Sequence, residues 1–267
     1  MHPVLLQIGS LVVPSYGALA ALGVLLALAL AQMTAQRCGL DSRHAWNMLV
    51  LAVFASLAVS RLVLIFMNLT ELRSHPSWLL AVAMVHHPLL AAAGAIGGAA
   101  AVLVYARWAR LPLASVADCL AAPVSLGMAA EQLGALLAGS GYGRETTVAW
   151  AVTYTSPLAA RWSGTPLGVP LHPAQGYAAL GALLLAGISF GWLFVRRRIG
   201  DVAGVWLLGM GVLLFVTEIY RDWEGRGVVV GGFADIPQLV GLGLVVLGGL
   251  VLVDWRRRDA PQRTGNA

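Results

Sequence analysis

Apolar positions along this chain run together far more than they alternate. Seven stretches, about 16–36, 46–67, 89–108, 113–139, 174–195, 202–221 and 236–254, are nearly free of charge. Each is close to the ~20 residues an α-helix needs to cross a hydrocarbon core. In lipid every backbone amide must be paired within the chain, so uncharged runs of this length predict helices. A spanning barrel would instead alternate in segments of about ten residues, and no such alternation is present. The pattern predicts an all-α, polytopic membrane protein of about seven transmembrane helices. Residues 1–258 read as one membrane-embedded domain with a small external head over about 140–173, and 259–267 as a disordered tail.

Four arginine groups orient the runs. Arg37 and Arg43 lie between the first two, Arg107 and Arg110 between the third and fourth, Arg196, Arg197 and Arg198 after the fifth, and Arg256, Arg257 and Arg258 after the last. If cationic loops stay in the cytoplasm, the N-terminus is outside and the C-terminus inside. The outside segments are then 68–88, 140–173 and 222–235, the first carrying Glu71, Arg73, His75, His86 and His87. Composition agrees: 59% of residues are hydrophobic and 11% charged, against about 25% charged in soluble domains. The net charge of +5 follows from these loops and implies no nucleic-acid partner. Cys38 and Cys119 have no metal-ligand or CxxC neighbour and read as small helix residues. No cleavable signal peptide is expected, because the first apolar run lacks a basic leader.

Charged groups inside a span are costly and face a cavity or a partner. That singles out Arg61, Asp118, Glu131, Gln132, Glu218 and Arg221. Arg61 reads either as a buried ion-pair partner or as a fixed cation for an anionic headgroup. Glu218 and Arg221, three apart, share one helical face. Asp118, near the inner end of its run, reads as a helix-start residue. Glu131 and Gln132 point about a quarter-turn apart, so at least one faces a polar space, and Glu131 is a candidate general base. In "GSGYGRETT" the glycines permit tight turns and bring Arg144 to the interface; arginine's planar fork suits phosphate. In "GVPLHPAQGY" Pro170 and Pro173 suit a helix entry, placing His172 and Gln175 at the outer mouth of the bundle.

The order of these motifs resembles the prolipoprotein diacylglyceryl transferase family. "HPVLLQIGSLVVPSYGALAALG" is similar to that family's opening, through His2, Pro3, Ile8, Gly9, Ser15, Tyr16 and Gly17. "SRLVLIFMN" resembles its arginine-centred second span, with Arg61 and Asn68; "QLGALLAGSGYGRETTVAWAV" its signature region, with Gly134, Gly139, Gly143 and Arg144. "GVPLHPAQGY" is similar to its His-Pro-x-Gln-x-Tyr segment, and "EIYRDWEGRG" to its Glu-x-x-Arg-Asp block. The blocks keep family order from about residue 2 to 245.

The resemblance implies a bacterial inner-membrane enzyme that moves a diacylglyceryl group from phosphatidylglycerol to the lipobox cysteine of a prolipoprotein signal peptide, releasing glycerol phosphate. It implies catalytic roles for Tyr16, His172 and Glu218, and substrate binding by Arg61, Asn68, Gln132, Gly143, Arg144, Gln175 and Arg221. No metal and no cofactor is implied. The chain also departs from the family pattern. Ala92 stands where the family has a histidine, Gln132 and Leu214 where it has arginines, Ala135 where it has an asparagine, and Ala178 where it has an acidic residue. Those exchanges define the alternative: a catalytically impaired paralogue that binds phospholipid or lipoprotein signal peptides. A small-solute or proton transporter would use Glu131 and Glu218 differently, but no repeated half or pair of broken helices is visible.

Overall fold

A computed structural model describes residues 2–9, 11–69, 88–222, 228–230 and 234–258. Glu71, Arg73, His75, His86, His87, most of the 222–235 segment and the tail 259–267 lie outside the described residues. A hairpin of β1 (Val4–Ile8) and β2 (Leu11–Pro14) leads into α1 (Ser15–Arg37) and α2 (Ser42–Met67). Next come α3 (Pro88–Trp108) and α4 (Leu113–Ala138). The head holds β3 (Val152–Thr153), α5 (Pro157–Ser163) and β4 (Pro170–Leu171). The chain then makes α6 (Ala174–Val195), α7 (Asp201–Tyr220), a short hairpin of β5 (Val228–Val230) and β6 (Ala234–Asp235), and α8 (Ile236–Arg258).

Among the described residues seven helices are long and apolar enough to span a bilayer, all but α5. The protein is a multi-pass membrane protein, and the seven apolar runs became the seven long helices. The second helix begins at Ser42 rather than near 46, because Asp41 caps it by accepting a hydrogen bond from the Arg43 amide at 2.9 Å.

Helix α4 runs through the centre, packed against α1 and α6, while α2–α3 and α7–α8 form pairs on the flanks. Small residues make these approaches possible, since helices in lipid associate by packing rather than by the hydrophobic effect. A Cβ on Gly23 of α1 would stand 2.7 Å from the Gly127 carbonyl of α4. One on Gly134 would stand 3.1 Å from the Tyr16 carbonyl. The two seams bring α1 and α4 together along most of their length.

The two ends of the bundle differ in chemistry. At one end Arg196, closing α6, is ion-paired with Asp118 of α4 and donates to the Arg37 carbonyl at 3.0 Å, while Arg37 lies over the Phe194 ring. Asp118 is fully buried and also accepts from the amides of Gly200 at 2.6 Å and Ala203 at 2.8 Å. It therefore neutralises the N-terminus of α7 rather than that of its own helix; its partners lie 82 and 85 positions away. Cys38 and Cys119 also belong here: both are buried in one apolar cluster as free thiols, with the Cys119 sulfur 3.6 Å from the Thr34 hydroxyl. The opposite end receives the start of α1, the ends of α2 and α4, the start of α6 and the end of α7, and carries the head.

The head is fastened to α4. Gly139 ends that helix in the left-handed region at φ 86°, a conformation glycine adopts without penalty. Its carbonyl accepts from the buried Thr165 hydroxyl at 2.9 Å, and the Tyr154 hydroxyl donates to the Leu136 carbonyl at 2.9 Å. Tyr154 is 1% exposed, and burial pushes its phenol up to about 12. Strands β3 and β4 pair antiparallel, Val152 against Leu171, and Pro173 caps the start of α6.

Candidate active site

Every residue given a catalytic or binding role by the family resemblance falls at the head-bearing end of the bundle, together with Glu131; Asp118 lies at the other end. The site residues form two groups and two outlying positions.

The first group joins α1, α2 and α4. Tyr16, in the first turn of α1, donates its hydroxyl to Glu131 Oε1 at 2.9 Å. Gln132 Nε2 donates to Glu131 Oε2 at 2.7 Å. Arg61, half-buried in α2, lies within electrostatic reach of the Tyr16 phenol. Glu131 is seven residues before the end of α4 and Arg61 six before the end of α2, which places both roughly 10 Å inside their helices. A carboxylate at that depth is tolerable because two donors, Tyr16 and Gln132, share its charge. Gln132 Oε1 is buried and has no hydrogen-bond partner among the described residues.

The second group is built where the head meets α7. Three extended segments run side by side. Gly143 bridges to Arg221, Glu145 bridges to Leu171, the Arg144 amide donates to the Tyr220 carbonyl at 2.9 Å, and the His172 amide donates to the Arg144 carbonyl at 2.8 Å. Arg144 is thus held by its backbone on both sides, and its Nε donates to the Arg221 carbonyl at 3.2 Å. Glu218, 3% exposed, ion-pairs with Arg221 at 3.7 Å one helical turn on. Arg221 Nε is buried and has no hydrogen-bond partner among the described residues. The result is two half-buried arginines on adjoining segments, Arg221 ion-paired with Glu218 and Arg144 bonded through its Nε to the Arg221 main chain.

His172 sits in an aromatic nest. Its ring lies 5.2 Å from that of Tyr220 and 6.1 Å from that of Tyr177. Trp150 Nε1 donates to the Tyr177 hydroxyl at 2.7 Å. The same hydroxyl lies 3.2 Å from His172 Nδ1, so the imidazole is hydrogen-bonded through that nitrogen and its position is fixed.

Gly143 has a steric reason to be glycine. A Cβ there would collide with the His172 carbonyl and stand 2.7 Å from the Tyr220 carbonyl. Both neighbours are main chain, so neither can swing aside. Gly143→Ala is expected to cost about 1–3 kcal/mol, read as a melting temperature about 5 °C lower in detergent. An unchanged melt would mean the three segments are less tightly joined than their geometry implies.

The two outlying positions are Asn68 and Gln175. Asn68 ends α2, its Nδ2 donating to the Leu64 carbonyl at 2.9 Å. Gln175 is 1% exposed, and its Nε2 donates to the Ser140 carbonyl at 2.9 Å, tying α6 to the head. Its Oε1 is buried and has no hydrogen-bond partner among the described residues. Of the exchanged positions, Ala92 is exposed on α3, whereas Ala135 and Ala178 are buried. Tyr177 is the tyrosine that closes the His-Pro-x-Gln-x-Tyr segment. Tyr220 and Trp150 have no such signal of charge or spacing beyond the concentration of aromatic side chains where helices leave the bilayer.

Fold and site together define a multi-pass membrane protein with a cation-rich polar site at one end of its helical bundle. Known proteins make the assignment narrower. The profile of the prolipoprotein diacylglyceryl transferase family matches residues 3–254, and the chain belongs to that family. It is 31% identical over 260 residues to a phosphatidylglycerol–prolipoprotein diacylglyceryl transferase of Vibrio cholerae, covering 95% of this chain and 91% of the relative. A Vibrio vulnificus protein of the same name is 30% identical over 262 residues, covering 96% and 91%. One from Vibrio atlanticus is 28% identical over 276 residues, covering 99% and 96%.

Proposed function

We infer that this protein transfers a diacylglyceryl group from phosphatidylglycerol to the lipobox cysteine of a prolipoprotein signal peptide. Membership of the family over nearly the whole chain carries the reading, and the relatives named for that reaction support it. The binding-only alternative gains no support from the fold or from the relatives. By the positive-inside rule, the end with Arg37, Arg43, Arg107, Arg110 and Arg196 faces the cytoplasm. The site then opens on the outer face of a bacterial inner membrane, with the N-terminus outside and the C-terminus inside.

In this reading the cysteine sulfur attacks the glyceryl carbon attached to the phosphate. The carbon–oxygen bond breaks with its electron pair on oxygen, so the departing glycerol phosphate gains negative charge. Arg144 and Arg221 meet that charge, and fixed donors of this kind stabilise a transition state because they need no reorganisation as it forms. Glu218 holds the Arg221 guanidinium in place. His172 presents Nε2 toward the headgroup, its other nitrogen being taken by Tyr177. Arg61 and Gln132 line the inner part of the site with Tyr16, and Gly143 lets the Arg144 segment lie close against the helix ends.

The reaction makes a product that can be counted. Protein in phosphatidylglycerol nanodiscs is expected to release glycerol phosphate only when a lipobox peptide with a free cysteine is present. A peptide with serine in its place is expected to give none. Release that ignores the peptide would mark a phospholipase-like activity and overturn the reading.

A further inference from the structure

Glu131 is the least explained charge in the bundle. A carboxylate about 10 Å inside a helix end is expensive. Yet the structure joins Glu131 to Tyr16 across 115 positions of sequence, by a 2.9 Å bond in which the phenol is the donor. The second carboxylate oxygen is fixed by Gln132 Nε2 at 2.7 Å, so Oε1 is presented to Tyr16 in one orientation. A phenol that donates to a carboxylate has a more electron-rich oxygen, whose remaining lone pairs can accept a proton while its own proton moves on. Tyr16 and Glu131 are both half-buried, which leaves the pair approachable from one side.

We propose that Glu131 is the terminal proton acceptor of the transfer, reached through the Tyr16 hydroxyl. The proposal rests on the transferase reading given above. The cysteine S–H proton passes to the Tyr16 oxygen as the Tyr16 proton passes to Glu131 Oε1. The sulfur electron pair forms the S–C bond, and the C–O bond to phosphate breaks with its pair on the phosphate oxygen. Glu131 ends neutral and glycerol phosphate leaves with one more negative charge, so charge and protons balance. The carboxyl gives its proton back to solvent after the product departs. Glu131 acts through Tyr16 and touches no substrate atom.

The experiment compares two peptide nucleophiles. A cysteine lipobox peptide must lose its proton in the reaction; the selenocysteine version is already ionised at neutral pH. Glu131→Gln keeps the shape of the side chain and an acceptor for Tyr16 but removes the base. With the cysteine peptide it is expected to lower kcat by about 10²-fold or more, with KM for the peptide within about two-fold of wild type. With the selenocysteine peptide the loss is expected to shrink to about ten-fold or less, because no proton acceptor is needed. Glu131→Asp and Tyr16→Phe carry the same comparison should Glu131→Gln fail to fold: the first is expected to recover part of the rate, the second to show the same dependence on nucleophile. Full activity of Glu131→Gln on the cysteine peptide overturns the proposal. So does an equal loss on both peptides, which marks a structural role. A wild type inert toward both peptides overturns the transferase reading itself, and the proposal with it.

Discussion

Arg144→Ala is expected to lower kcat/KM for the transfer by about 10²–10³-fold, the cost of removing one preorganised donor from a developing anion, or about 3–4 kcal/mol. The backbone of residue 144 is held by Tyr220 on one side and His172 on the other. Truncating its side chain therefore leaves the site framework standing and removes the guanidinium alone. Arg144→Lys is expected to fall between. It restores a charge but not the Nε–H that donates to the Arg221 carbonyl at 3.2 Å, and an ammonium cannot bond two phosphate oxygens in one plane. Initial rates of glycerol phosphate release, with a melt to confirm folding, separate the three proteins. Equal rates for alanine and wild type would remove Arg144 from the site.

The second large effect is on stability, at the other end of the bundle. Asp118 is fully buried and holds together α4, the end of α6 through Arg196 and the start of α7 through two amides. Arg196 in turn reaches the end of α1. Asp118→Ala would strand a guanidinium whose side chain is only 13% exposed and leave two helix-start amides unpaired. Breaking a buried pair by removing one partner costs about 3–5 kcal/mol, equivalent to a melting temperature about 10 °C lower in a chain of this size. Asp118→Asn keeps an oxygen for the amides and is expected to lose less. Transfer per folded molecule should be unchanged in both, because Asp118 lies at the opposite end from the site.

The contrast between these two residues shows what a sequence discloses in a protein of this kind. The seven spans were legible because hydropathy is a local property: twenty uncharged residues are a helix in lipid whatever surrounds them. The arginine groups were legible too, each lying beside its own span. What escaped were partnerships between distant positions. Asp118 reads as starting its own helix, since nothing nearby reveals that α7, more than eighty residues on, begins against it. Glu131 stood out as an unpaid charge, but its phenolic partner at Tyr16 could not be read from spacing. The same holds for the Trp150–Tyr177–His172 chain that holds the imidazole in place. Glycines divided likewise. Gly139 follows from its helix end, whereas Gly143 is explained only by the two main-chain carbonyls that close on it from other segments.

The central claim is that this cation-rich site makes a thioether. Incubating the wild-type protein in phosphatidylglycerol nanodiscs with a cysteine lipobox peptide, then weighing the peptide by intact mass spectrometry, tests it most directly. The account predicts a peptide heavier by one diacylglyceryl group, held through a thioether that survives neutral hydroxylamine, and formed about 10²–10³-fold more slowly when Arg144→Ala replaces the wild type. A peptide of unchanged mass, with a conventional family member modifying it under the same conditions, would contradict the account.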